Sequence, residues 1–254
     1  MPGIWRYREL LRNLVYKEMK LTYCASFLGL MWAMLIPFAK IAVLWAVFGL
    51  IFQRQMDNFV IYLVTGVLPW DLFSTSVMRS TNAVYGNGNL LKKIYFPRLI
   101  LPASTAAYQL IMFGMAFVVF LIIYFIVVKS FSVTLLLYPF ALALFVIFLL
   151  GVTFAVSAVT VFYKDVQQIV EIVIYALFWL TPIVYSMDQI TGKLRALILL
   201  NPVAHYIELF HNIVYWGRAP SVSTWGICSL LAVVSLGLGV VCFRSLEQKF
   251  VEEL

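Results

Sequence analysis

Charge is what this chain has least of. Only 11% of its residues are Asp, Glu, Lys or Arg, while 64% are hydrophobic and the mean hydropathy is +0.98. A water-soluble domain cannot hide that much apolar surface, so the solvent is read as lipid. Cysteine is nearly absent: Cys24, Cys228 and Cys242 are scattered, form no Cys-x-x-Cys pair, and suggest neither a disulfide framework nor a metal site. They read as small packing residues. His205 and His211 are the two histidines, with no His-Glu-x-x-His around them and no spacing that puts both on one helix face. No Gly-x-x-x-x-Gly-Lys-Ser/Thr loop occurs, and the polar stretches are too short for an ATPase domain. Serines and acids make no nucleophile constellation. Ionisable residues inside apolar runs come down to Lys40, Asp71 and Glu171. Neither a buried carboxylate relay nor an inverted repeat marks a proton-coupled transporter. The chain can form a pathway but carries no engine of its own.

What is present is a series of long apolar runs. A helix needs about 20 apolar residues to cross the hydrocarbon core. Six segments are read as spans: 27–52, 59–78, 99–128, 135–162, 169–185 and 224–243, the fifth being the shortest. Backbone groups in lipid must be satisfied within their own segment, so these are helices. The stretch 1–26 differs. Arg6, Glu9, Asn13, Lys17 and Lys20 make a polar stripe at helical spacing, with Ile4, Tyr7, Leu11, Leu14 and Val15 roughly opposite and Arg8 and Arg12 at the apolar edge. Its start is charged where a signal peptide would be apolar, and the pattern suits a helix lying in the membrane interface. Between residues 187 and 220, "LRALILLNP" and "AHYIELFHNIVYW" are each too short to span. They suggest a re-entrant hairpin turning at Asn201 and Pro202; one broken seventh span is the alternative, and it would put the termini on opposite sides. The expected fold is therefore one all-α integral membrane permease domain over 1–254.

Positive charge sets the orientation. With six spans, Arg6, Arg8, Arg12, Lys17, Lys20, Arg79, Lys92, Lys93, Arg98, Lys164, Arg244 and Lys249 fall on one side. Arg54, Lys129, Lys193, Arg195 and Arg218 fall on the other. Both termini are expected to be cytoplasmic, and so is the stretch "NGNLLKKIYFPRLILP". Its basic and aromatic residues, within 83–98, suit a short docking helix for a separate cytoplasmic motor. Asn87 or Asn89 would cap it, and Leu91, Ile94 and Tyr95 would fill a groove in the partner. Lys92 and Lys93 would stay wet, and Pro97 would end the helix. A loop that merely obeys the topology rule is the plainer reading.

"GVLPWDLFS", "NGNLLKKIYFPRLILP", "FYKDV", "TPIVY" and "LNPVAHYIE", in this order, resemble the membrane subunit of type-two ABC exporters, in the polysaccharide branch that exports lipid-linked O-antigen, capsule and teichoic acid. The resemblance covers nearly the whole chain. It implies an interfacial helix, six spans, a re-entrant hairpin before the last span, and two copies forming the channel. It also implies two copies of a nucleotide-binding partner, which binds ATP and Mg; this chain would hold no cofactor. The coupling helix would lie within Asn87–Pro97, with Asn89, Leu91, Lys92, Lys93, Ile94, Tyr95, Phe96, Pro97 and Arg98 as its contact region. Two positions depart from the pattern: Lys164 where Arg is common in "FYKDV", and His211 near where an Arg often follows the hairpin turn.

A polysaccharide path should offer aromatic platforms and few fixed charges, and aromatics are 17% of this chain. Trp45, Phe48 and Phe52 are expected on one face of the first span, and Tyr175, Phe178, Trp179 and Tyr185 repeat that pattern in the fifth. Membrane-interface belts use the same residues. A basic entrance would draw in an anionic lipid head group, with Arg6, Arg8, Arg12 and the deeper Lys40 as candidates. The rival readings are an exporter of drugs or small lipids from the same superfamily, a gated channel without an ATPase, and a membrane enzyme.

Overall fold

A computed structural model describes residues 7–23, 28–51, 58–93, 96–128 and 132–250. All regular structure among them is helical. In chain order the α-helices are α1 (Arg8–Tyr23), α2 (Trp32–Trp45), α3 (Phe59–Ser80), α4 (Gly88–Lys93), α5 (Ile100–Val128), α6 (Tyr138–Phe162), α7 (Val166–Trp179), α8 (Gly192–Leu199), α9 (Pro202–Val214) and α10 (Val222–Glu247). Five helical segments among the described residues are long and apolar enough to cross a membrane: Trp32–Gly49, Phe59–Ser80, Ile100–Val128, Val133–Phe162 and Val222–Glu247. The protein is a multi-pass membrane protein.

The core lies where α3, α5, α6, α9 and α10 meet. Helix α3 is apolar on nearly every face and is buried without a break from Ile61 through Trp70, as expected for a helix packed on all sides. Helix α9 is its neighbour, with Tyr206, Ile207, Leu209, Phe210 and Ile213 fully enclosed. Tyr206 and Phe210 stack among Phe145, Phe148 and Tyr138 of α6. The start of α9 follows from its sequence. Asn201 caps it, accepting from the Val203 amide at 3.0 Å, and Pro202 occupies the first turn, where no amide is needed. Helices α6 and α10 cross through small residues. A Cβ on Gly151 would overlap the Ser235 backbone, and one on Gly239 would overlap the Gly151 carbonyl. The two backbones touch there, and the Ser235 hydroxyl donates to the Phe148 carbonyl at 2.9 Å.

Helix α1 has the two faces that the stripe requires. Leu14 and Val15 are buried against Ile100, Leu101, Tyr108 and Met112 of α5, while Arg8, Glu9, Arg12, Asn13, Lys17 and Lys20 are exposed. Two polar contacts tie α1 inward. Lys17 Nζ donates to Asn87 Oδ1 at 2.8 Å, and Arg79 Nη1 meets Glu18 Oε2 at 3.5 Å.

The fifth apolar run is helical over a different range from 169–185. Helix α7 begins at Val166 and has 14 residues, about 21 Å of rise against a hydrocarbon core of about 30 Å. "TPIVY" then runs in turns to Tyr185; Pro182 disfavours helical backbone in the residue before it and has no amide to bond back. The segment 187–220 is bent, not sharply reversed: the chain turns by 96° between α8 and α9. Its two ends nevertheless meet. Tyr62 donates through its hydroxyl to the Tyr185 carbonyl at 2.6 Å, and its ring lies 5.1 Å from Tyr215. Met187 and Trp216 line one small cavity beside that ring. A segment whose beginning and end converge on one residue of α3 returns to the end of the molecule from which it entered.

Candidate functional site

Away from the ends of the spans, the described charges meet at one point. Lys40 of α2 reaches Asp71 of α3, Nζ to Oδ1 at 2.6 Å. A charge at this depth needs a partner, and each is the other's. Lys40 Nζ also lies 5.1 Å from the centroid of Phe178 on α7. The ammonium is thus held between a carboxylate and an aromatic face.

Around it lies a groove of about 480 Å³ between α2, α3 and α7, lined by Lys40, Trp70, Glu171, Tyr175, Phe178 and Trp179. The aromatics form a continuous ladder. Trp70 meets Phe178 edge-on at 5.6 Å, and Phe178 meets Trp179 at 5.3 Å. Helix α7 buries none of its residues, so Tyr175 and Trp179 stay 71% and 47% exposed on the groove side of the molecule. Tyr185 closes the end of α7, donating to the Trp179 carbonyl at 2.9 Å.

Four of the residues proposed from the sequence therefore come together: Lys40, Tyr175, Phe178 and Trp179. The α2 aromatics do not join them. Helix α2 widens into a π-type turn over Ala46–Ile51, so the α-helical spacing that would place Trp45, Phe48 and Phe52 on one face stops at Trp45. Trp45 is exposed with its indole over Gly49, and Phe48 is half-buried against the core. Phe52 lies outside the described residues. So does Arg6; Arg8 and Arg12 are exposed on α1 and line neither of the two cavities that Lys40 lines. Trp70 was not proposed from the sequence, although it stands beside Asp71 in "LPWDLF".

The docking region sits at the end of α3 that α1 covers. Asn89, Lys92 and Lys93 of α4 are exposed. Leu91 is half-buried, packed beside Phe96 and Val84 of its own chain. Ile94 and Tyr95 lie outside the described residues. Neither asparagine caps α4 in the way the sequence suggested. Asn87 donates to the Ala83 carbonyl at 2.8 Å and accepts from Lys17, while Asn89 lies inside the helix. Pro97 follows in non-helical backbone. Arg98 lies over the Phe250 ring at 5.9 Å, and its buried Nη1 has no acceptor among the described residues. Lys164 rests on Tyr85, 4.7 Å from its ring and 3.3 Å from its hydroxyl, so the "FYKDV" cation belongs to the same surface. His211 does not; it is buried beneath Tyr62, stacked at 3.8 Å and bonded to the Tyr62 carbonyl at 3.0 Å. His205 bonds the Leu199 carbonyl at 2.9 Å.

A helical bundle with five segments able to cross a membrane, an aromatic groove on one side and an exposed basic helix at one end is a multi-pass membrane protein, and its relatives give its class. Residues 9–215 match the family described as ABC-2 type transporter, and the chain belongs to that family. It is 29% identical to the O-antigen export system permease protein RfbA of Myxococcus xanthus, over 99% of this chain and 97% of that one. It is 27% identical to a protein of the same name from Klebsiella pneumoniae, over 97% and 95%. Identity to the polysialic acid transport protein KpsM of Escherichia coli is 24%, over 92% of each chain.

Proposed function

We propose that this chain is the channel-forming, non-catalytic subunit of an ATP-driven exporter that moves lipid-linked polysaccharide across the bacterial cytoplasmic membrane. Two copies pair around the path, two copies of a cytoplasmic ABC ATPase bind ATP and Mg, and both termini face the cytoplasm. The names of the relatives support this substrate class. The observation that carries it is the groove: aromatic faces exposed along a membrane helix, with one cation held among them. Sugar rings present CH faces that pack on such platforms, and a path with few fixed charges does not trap a polar polymer. Replacing Tyr175 and Trp179 together by Ala removes two exposed platforms and little buried packing. The expected result is normal permease in the membrane with several-fold less long-chain polysaccharide at the cell surface. Trp45→Ala, outside the groove, should leave export unchanged. Equal export from all three proteins would sink the groove as the path.

The ATPase docks at α4 and the residues that follow it. Apolar and aromatic anchors carry most of an interface's energy while rim charges chiefly steer. Ile94→Ala with Tyr95→Ala should therefore lose the co-purifying ATPase or uncouple its hydrolysis from export. Lys92→Gln with Lys93→Gln should mainly change the salt dependence of assembly. A loop serving only topology predicts the reverse pattern.

A further inference from the structure

A second cavity lies on the other side of Lys40, between α2, α3 and α5, with a volume of about 330 Å³. We propose that it is a site for the anionic phosphate head group of a lipid, entering sideways from the leaflet at the α1 end. Its floor is polar. Gln109 of α5 lines it, is only 6% exposed, and its amide has no hydrogen-bond partner among the described residues. The amide is not sealed off from that space, so it is open to a group that enters the cavity. Lys40 and Arg79 line the same space. Lys40 carries three donors, and a single contact to Asp71 leaves two of them. Arg79 carries five and touches Glu18 only at one nitrogen, 3.5 Å away. Of the acids these cations meet, only Asp71 lines the cavity, so the lining holds two cations against one carboxylate.

The remaining wall is apolar, with Ile36, Leu68, Phe113 and Ala116. A polar grip joined to an apolar slot fits an amphiphile better than a free ion. Trp32 and Ile36 at the rim are 42% and 60% exposed, which places the mouth toward lipid between α2 and α5. Arg79 lies in the last turn of α3, and Asp71 is eight residues deeper, about 12 Å along the axis. The grip therefore spans head-group depth and the first turns below it. Two sources carry this chemistry: a phospholipid of the leaflet, and a polyprenyl phosphate of the kind that would carry the exported chain. The site rests on the chain being a membrane permease. It does not require that the cargo be a sugar, so this inference and the substrate reading can fail separately.

The test uses the permease purified with its ATPase and placed in nanodiscs. Three photo-crosslinking lipids are compared: phosphatidylglycerol, a polyprenyl phosphate, and diacylglycerol, which has no phosphate. Labelled peptides are mapped by mass spectrometry. Label from a phosphate lipid on α2 and α5 near Trp32 and Met112, well above that from diacylglycerol, is the expected result, and the stronger of the two phosphate probes names the source. Gln109→Leu, close in size, should lower that label about tenfold, the loss of one hydrogen bond to a charged group. Arg79→Gln should lower it further, with Arg79→Lys in between. If Gln109 is only an unpaired core amide, Gln109→Leu will stabilise the protein and leave the label unchanged. That outcome, or equal label from diacylglycerol, overturns the proposal.

Discussion

Gly151→Val and Gly239→Val should each prevent recovery of folded permease from the membrane. The crossing of α6 and α10 admits no side chain at either position. A Cβ at Gly151 would sit inside the Ser235 backbone, and a Cβ at Gly239 would lie 2.7 and 2.8 Å from the carbonyl carbon and Cα of Gly151. Main chain cannot swing aside as a rotamer can, so the helices would have to part along their length. Overpacking a core costs roughly 1–3 kcal/mol when side chains can adjust; here the obstacle is backbone, and the effect should reach or pass the top of that range. Separation would also break the Ser235 bond to Phe148. Gly237→Ala, on the same helix with nothing within 4 Å of its added carbon, should be silent. Detergent-extracted protein followed by size-exclusion chromatography reads the difference. A monodisperse Gly239→Val protein at normal yield would show that the crossing is not as close as described.

His211→Ala should be nearly as damaging. The imidazole is fully enclosed, stacked at 3.8 Å on Tyr62 and bonded to its carbonyl at 3.0 Å. Gly66 allows this approach: a Cβ there would lie 3.2 Å from Nε2. Truncation leaves a cavity and removes a ring stack and one hydrogen bond, which together cost about 3–5 kcal/mol. It also frees the Tyr62 side chain, whose hydroxyl gathers the Tyr185 and Pro182 carbonyls at 2.6 and 3.2 Å. The whole 185–215 segment should then loosen. Thermal unfolding and accessibility of a cysteine placed at the buried Met187 both report this. His205→Ala, which loses one exposed bond to Leu199, should behave as wild type. Unchanged melting in the His211→Ala protein would refute the latch.

The long apolar runs made α3, α5, α6 and α10 legible, and the alternating stripe made α1 legible, because those patterns follow from lipid and interface alone. Asn201-Pro202 was legible as a helix start for a local reason, a side-chain cap followed by a residue that needs no amide. The π-type widening after Trp45 was not, since no single residue there forbids ordinary helix. Lys40 and Asp71 were each visible as charges in lipid, but their pairing is a property of how α2 and α3 pack. Some signal for it was present: Lys40 stands eight residues beyond the start of α2, and Asp71 nine before the end of α3, which are matching depths in antiparallel helices. The packing of Leu91 beside Phe96 and Val84 was not legible, because an apolar residue on a short exposed helix can face a partner, its own core or both. His211 and Gln109 carry no local pattern at all; only the tertiary fold shows one enclosed and bonded and the other at a cavity wall.

The crossing of α6 and α10 has a mechanical corollary. Where backbone lies on backbone there is no slack, and α3 and α9 are wedged into the same mass. Helix α2 buries only Ala33 and Ile41, and α7 buries nothing. These two helices flank the groove at the edge of a fixed frame, and the Lys40–Asp71 pair is the polar tie that joins α2 to it.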